Sequence, residues 1–287
     1  GARYPCAMPL LPLAAFDQPW PLHDAAQSRR IETAAAAALP PHTLMQRAGL
    51  AVARLALAIA PHAERIWIAA GPGNNGGDGL EAALHLRAAG KTVQISLAGD
   101  PSKMPADAAA SFRRAADAGV AIGEANAAPA DVDLAVDALL GLGATREAEG
   151  ALAEMVRALN ASDCPRLAVD LPSGLSCDSG AALGRLVVRA THTLALLTLK
   201  PGLFTASGRE QCGALWFDDL GCGSHAAAVP PRAQLGDADS ARQLRPARGH
   251  AGHKGGYGDV IAVGGAPGMS GALTLAARAA LAGGAGR

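Results

Sequence analysis

Apolar and polar positions change period several times along the chain. Two alanine-rich stretches, 23–39 and 41–60, read as helices broken at Pro40-Pro41. In the second, Leu44, Ala48, Val52, Leu55 and Ile59 fall on one stripe at helical spacing, while Arg29, Arg30 and Glu32 read as a solvated face of the first. Short apolar runs then alternate with helical stretches: strand 66–70, helix 79–89, strand 92–97, helix 105–118, a short strand near Val120, strand 132–136, helix 148–160 and strand 166–170. Such a series predicts an α/β fold with a parallel sheet wrapped by helices on both faces. Two more strand-like runs, 191–199 and 214–217, complete one edge of that sheet.

From Gly221 to Arg248 periodicity is lost, and prolines with scattered charges read as a linker holding one short helix. Beyond it come a strand at Asp259–Val263, a glycine loop at 264–271 and a helix at 272–281. A single strand–loop–helix unit cannot bury a core alone, so it reads as the opening of another domain, cut short. The expected organisation is an extension at 1–22, a domain at 23–222, a linker at 223–248 and the start of a second domain at 249–287.

Composition narrows the partners. With 287 residues, 50% of them hydrophobic, the chain can bury a large core; a formal net charge of +0 and a pI near 7.2 provide no basic field for nucleic acid. No apolar run approaches the roughly 20 residues of a membrane span, and Met8–Ala15 is too short and proline-broken for a secretory core. None of Cys6, Cys164, Cys177, Cys212 and Cys222 forms a Cys-x-x-Cys pair, which reads as buried or idle thiols in a reducing cytoplasm.

Four segments follow strands on the side where open α/β sheets bind ligands: 71–79, 137–147, 170–174 and 200–202. In the first, Gly-Pro-Gly-Asn-Asn-Gly-Gly-Asp-Gly brings bare backbone and a helix start towards a ligand. It also satisfies Gly-x-Gly-x-x-Gly through Gly71, Gly73 and Gly76, with Asp100 placed as a ribose-binding acid. Asp78 argues against that dinucleotide site, because a carboxylate at the helix mouth repels a pyrophosphate. Asp137 and Asp170 end buried strands, where a carboxylate needs a cation, a donor-rich ligand or several N–H groups. A hard cation fits the oxygen donors of Asn75, Asp137 and Ser173, although each residue could instead be a cap or a turn former.

These segments resemble the four signatures of the NAD(P)H-hydrate epimerase family (the YjeF N-terminal domain): 70–79, Asp137-Ala-Leu-Leu-Gly-Leu-Gly143, Val169-Asp-Leu-Pro-Ser-Gly174 and Leu199-Lys-Pro-Gly202. They occur in the family's order and cover about 23–222; Leu44–Gly49 is similar to that family's second helix. His253–Gly258 and 264–271 resemble the start of an ADP/ATP-dependent NAD(P)H-hydrate dehydratase domain, of ribokinase-like fold. The resemblance implies a three-layer Rossmann-like sandwich with a mostly parallel central sheet, plus the first βα unit of that second domain.

The resemblance further implies that Asn74, Asn75, Gly76, Gly77 and Asp78, with Gly141, Leu142, Gly143, Ala144, Thr145, Arg146, Glu147 and Asp170, contact the hydrated dinucleotide. Asn75, Asp137 and Ser173 would hold one potassium ion, and ADP or ATP would serve only the missing remainder of the dehydratase domain. The expected activity interconverts the R and S forms of hydrated NADH or NADPH, with a homo-oligomer in the cytoplasm as its setting. Asp170 is the expected general acid–base, since a buried carboxyl can hold a proton near neutral pH and no basic residue adjoins it in sequence. Lys200 is expected to pair with Asp170, to meet a phosphate or to end a strand in solvent. Two rival readings are a non-catalytic binding or dimerisation module, which has no need of carboxylates at strand ends, and a dehydrogenase, for which no hydride-acceptor base is found.

Overall fold

Strands apolar at every position can be buried only inside a layered structure, and such runs form the centre of the sheet. The computed structural model describes residues 11–12, 19–124, 129, 131–243 and 250–287, so Cys6 lies outside the described residues. In chain order the elements are β1 (Leu11–Pro12), β2 (Trp20–Leu22), α1 (Ala25–Ala37), α2 (Thr43–Ile59), β3 (Arg65–Ala70), α3 (Asn74–Ala88) and β4 (Thr92–Leu97). Next come α4 (Ala106–Asp117), β5 (Ala121–Glu124), β6 (Leu134–Ala138), α5 (Gly150–Ala161), β7 (Arg166–Val169) and β8 (His192–Leu196). The chain continues through α6 (Gly208–Gln211), β9 (Ala214–Asp218), α7 (Gly223–Ala227), β10 (Ala233–Leu235), α8 (Ala238–Gln243) and α9 (Gly271–Gly283). Two compact units divide it, 1–238 and 239–287.

The first unit is a three-layer α/β sandwich. Its sheet runs β1-β9-β8-β7-β6-β3-β4-β5, parallel throughout except for the two-residue β1 on β9. From β3 the chain moves outwards through β4 and β5, then returns to β6 on the other side of β3. The connections therefore part between β3 and β6, the place where such sheets bind ligands. Alternation along β3 serves both faces: Ile66, Ile68 and Ala70 pack with α2, α3 and α4, whereas Trp67 and Ala69 pack with Met155, Val156 and Leu159 of α5. The buried indole of Trp67 donates to Ser96 Oγ at 3.0 Å.

Caps and breakers set α1 and α2 as the sequence predicts, with Asp24 and Gln27 forming a capping box before Ala25. Elsewhere the structure shifts the expected bounds. Helix α3 begins at Asn74 rather than 79, so the expected loop is largely its first turns. Strand β6 continues to Ala138, which places Asp137 inside the sheet opposite Ala69 and Ala168. After Gly221, α7, β10 and α8 occupy part of the aperiodic stretch, and β10 pairs antiparallel with β2.

In the second unit α9 forms as expected, but 259–263 make no strand, and among the described residues no segment pairs with them as a ladder. Ile261 and Val263 are 87% and 91% exposed, an unusual state for such side chains. Among the described residues the cysteines are free, with Cys177, Cys212 and Cys222 buried and their thiol pKa values pushed up by burial. No helix among the described residues is long and apolar enough to cross a membrane.

Candidate active site

A cleft of about 850 Å³ opens over the carboxyl ends of β3, β6, β7 and β8, walled by α1, the start of α2 and the first turns of α3. Asn74, Asn75, Asp78, Gly141–Glu147 and Asp170 line it, as do Lys200 and Glu32. Gly76 and Gly77 do not: they are buried where α3 meets the rest of the domain.

The glycines act through close approach. None of Gly71, Gly73, Gly76, Gly77 and Gly79 has positive φ, contrary to the usual reading of a glycine loop. A Cβ on Gly71 would lie 1.8 Å from Leu139 O, one on Gly76 1.9 Å from Gly71 O, and one on Gly79 2.7 Å from Ala138 Cβ. The helix start is thereby seated against the ends of β3 and β6, with its unpaired first-turn N–H groups at the cleft.

Beneath the floor, Asp137 is 0% exposed. Its Oδ1 accepts from Ser173 Oγ at 2.6 Å and Leu139 N at 3.2 Å, and its Oδ2 from Ser173 N at 2.8 Å. Burial pushes its pKa up to about 6 against the pull of those bonds. Backbone N–H groups thus compensate part of the charge, and no cationic side chain contributes. Asn75, packed beside Gly141, has a buried amide atom, placed as Nδ2, without a partner. A half-turn of that amide exchanges nitrogen for oxygen. A buried carboxylate lacking a counter-charge, a hydroxyl and a spare amide form a donor set suited to a hard cation. Among the described residues no group of three or more His, Cys, Asp and Glu forms a metal-ligand set.

Asp170 follows β7 with φ 67, a left-handed conformation that an Asp tolerates better than most residues. Of the alternatives for Lys200, the pairing with Asp170 is the one that forms: Lys200 Nζ donates to its Oδ1 and to Leu196 O at 2.7 Å. Lys200 is 2% exposed, so it is no solvated strand end. Thirty residues separate the partners, and the parallel pairing of β7 with β8 brings them together. Leu196 N also donates to Oδ1, at 3.2 Å, while Oδ2 accepts no hydrogen bond among the described residues.

Glu32 and Asp78 also face the cleft, as does Asp107 of α4, which lies 2.7 Å from His42 Nδ1. Glu32, expected on a solvated helix face, lines it together with Ser28, one turn earlier on α1. Ser28 Oγ is 2.8 Å from Thr198 Oγ1, joining α1 to the segment that carries Lys200. Burial raises the pKa of Glu32; Asp170 raises it further, and Lys200 and Arg29 oppose this. Burial likewise raises that of Asp78 well above the usual carboxylate range, with Asp170 and Glu32 adding to it.

The expected second loop divides. Arg29 Nη2 reaches Leu142 O at 3.5 Å, Arg146 is exposed, and Glu147 accepts from Arg185 N at 2.7 Å, which anchors 184–185. Asp100, the ribose acid of the dinucleotide alternative, is exposed and caps a turn by accepting from Ser102 N at 2.9 Å. It does not line the cleft.

A family profile described as YjeF-related protein N-terminus matches residues 41–202. The bifunctional NAD(P)H-hydrate repair enzyme Nnr of Escherichia coli (strain K12) is 35% identical over 268 residues, 93% of this chain and 52% of that protein. The NAD(P)H-hydrate epimerase of Pirellula staleyi is 39% identical over 206 residues, 69% of this chain and 86% of that protein. The chain spans about half the length of the curated bifunctional relatives it matches. The crystal structure of yeast ynu0 superposes with a TM-score of 0.57 at 20% identity, covering 66% of this chain and 85% of that one, a likeness of fold.

Proposed function

The chain belongs to the YjeF-related protein N-terminus family, and from that premise we propose that it interconverts the R and S forms of hydrated NADH and NADPH. The observation that carries this reading is the Asp170–Lys200 pair at the base of a large cleft, beside the N-terminus of α3. A non-catalytic module gives no reason to bury a lysine on a carboxylate at a strand end.

The substrate carbon bears a hydroxyl next to the ring nitrogen. That nitrogen's lone pair expels the hydroxyl once it is protonated, and water returns on either face. Alternatively, removal of the hydroxyl proton lets the carbon–nitrogen bond break to an aldehyde, which recloses. The first route needs an acid at the departing hydroxyl and a base at the returning water; the second needs a base at the hydroxyl and a proton for the ring nitrogen. Asp170 provides the base through Oδ2, since Lys200 and Leu196 N occupy Oδ1. Lys200 fixes the carboxylate, and Asn74, Asn75 and Asp78 of α3 line the cleft that would take the hydrated dinucleotide.

A potassium ion held by Asn75, Asp137 and Ser173 belongs to the same reading, supported by the uncompensated burial of Asp137 and the spare amide of Asn75. It would supply counter-charge to the loops and the phosphates. Residues 249–287 are proposed as the opening of a dehydratase domain, where ADP or ATP would act. The exposed apolar side chains of the second unit are what such an opening would present.

The test follows an R/S hydrate mixture by proton NMR. The protein is expected to equilibrate the epimers, and Asp170→Asn to slow this about 10²-fold or more with binding retained. Equilibration by Asp170→Asn at the wild-type rate would move the role elsewhere.

A further inference from the structure

Epimerisation exchanges a hydroxyl on one face of a ring for a hydroxyl on the other. A base held on one wall cannot by itself protonate a group departing from the opposite face. Five carboxyls line the cleft: Glu32 on α1, Asp78 on α3, Asp107 on α4, Glu147 after β6 and Asp170 after β7; Asp107 is engaged by His42 and Glu147 accepts from Arg185 N. Asp170 is held by Lys200, whereas the side chains of Glu32 and Asp78 make no hydrogen bond or ion pair among the described residues.

We propose that Glu32 is a second catalytic residue, the general acid on the α1 wall that works opposite the Lys200-held Asp170. This rests on the epimerase reading and assigns the half of the proton traffic that Asp170 leaves uncovered. Three observations favour Glu32. It lies on a wall distinct from the strand ends that carry Asp170 and Lys200. The Ser28–Thr198 contact fixes that wall, one helical turn away, to the segment leading into Lys200. Glu32 is also half-buried, as Asp78 is, so it can recover its proton from water.

The step balances. Glu32 gives its proton to the departing hydroxyl, the carbon–oxygen bond breaks with its electron pair leaving as water, and the nitrogen lone pair forms the iminium bond. Water adds to the other face, its proton passes to Asp170 Oδ2, and the iminium pair returns to nitrogen. Glu32 ends as carboxylate and Asp170 as acid; exchange with solvent restores both. The same steps reversed carry the opposite epimer.

The charges facing Glu32 are Asp170 after β7, Lys200 after β8, Arg29 on α1 and Asp107 on α4, with Asp78 of α3 coupled to it. Burial and Asp170 outweigh Lys200 and Arg29, keeping Glu32 protonated to higher pH than a free glutamate.

The test measures epimerisation against pH for the wild type, Glu32→Gln, Glu32→Asp and Asp78→Asn, with thermal unfolding as the control for folding. In Glu32→Gln the turnover rate should fall about tenfold or more, with substrate affinity altered no more than about twofold and the alkaline limb of the rate profile lost. Glu32→Asp should restore part of the rate and the limb. An unchanged rate and profile in Glu32→Gln, or a change in KM alone, overturns the proposal. So does loss of the limb in Asp78→Asn but not in Glu32→Gln, which would make Asp78 the acid. A folded wild type that equilibrates no epimers would instead overturn the epimerase reading, separating the two failures.

Discussion

The substitution Asp137→Asn isolates what a buried carboxylate costs when no cation accompanies it. Burial lifts the carboxyl from 3.8 to about 6, some two pH units. At 1.36 kcal/mol per unit this is a cost of about 3 kcal/mol to keep it ionised in the folded state. The folded protein binds that proton more tightly than the unfolded chain, so the cost is absent below about pH 4 and complete above about pH 6. An Asn side chain can accept from Ser173 N and donate to Ser173 Oγ, which has Leu140 O at 3.2 Å as a further acceptor. It loses the 3.2 Å bond from Leu139 N, worth about 1 kcal/mol. The net gain for Asp137→Asn is about 2 kcal/mol at pH 7.5 in a buffer whose only cation is tetramethylammonium, a rise in Tm of about 4–8 °C. At pH 4 the sign reverses and the variant is slightly less stable. Adding potassium should raise the Tm of the wild type and leave that of the variant unmoved. Circular dichroism melts across this pH range decide the matter. A variant several degrees less stable than wild type at pH 7.5 in the organic cation would refute the reasoning, since the carboxylate would then be stabilising the fold by itself.

Other outcomes follow from the same geometry. Gly76→Ala, whose Cβ would meet Gly71 O at 1.9 Å, should fail to fold or lose several kcal/mol, whereas Gly73→Ala, with nothing within 4 Å, should stay within about 1 kcal/mol of wild type in thermal melts. Lys200→Met leaves Asp170 with an unpaired charge and should cost about 3–5 kcal/mol, much of it recovered in Lys200→Met/Asp170→Asn; no recovery in denaturant titrations would show that Lys200 acts by packing alone. Alkylation of the native protein should modify half-exposed Cys164 well before Cys177, Cys212 or Cys222, as peptide mapping would reveal.

The framework was legible wherever burial imposes a period. The run at 66–70 and the stripe from Leu44 to Ile59 carry their environment in their composition, and both form the expected elements. Helix α3 was misplaced because two Asn and three Gly within its first six residues, 74–79, are poor helix formers. Contacts with Leu139 and Ala138, sixty residues on, override that preference. The candidate residues at 74–75, 141–147 and 170 could be named from four segments, but not the state of their charges. Asp170 meets Lys200 and Glu32 faces them only through pairing of β7 with β8 and docking of α1, contacts that no local window contains. The strand expected at 259–263 shows the converse: a pattern specifies a strand only when partners exist to hydrogen-bond it.

The anchorage of α1 also sets the order in which the cleft can be completed during synthesis. His23 N donates to Leu199 O at 2.9 Å, His23 Nε2 lies 3.1 Å from Val229 O, and β2 pairs with β10 some 210 residues later. The wall that carries Glu32 therefore leaves the ribosome some 170 to 210 residues before the segments that seat it. Until about residue 235 has emerged, a nascent chain can assemble β3 to β8 while its cleft stays open on one side. The cleft is thus completed in a single late event, when residues 20–32 close against residues 198–235.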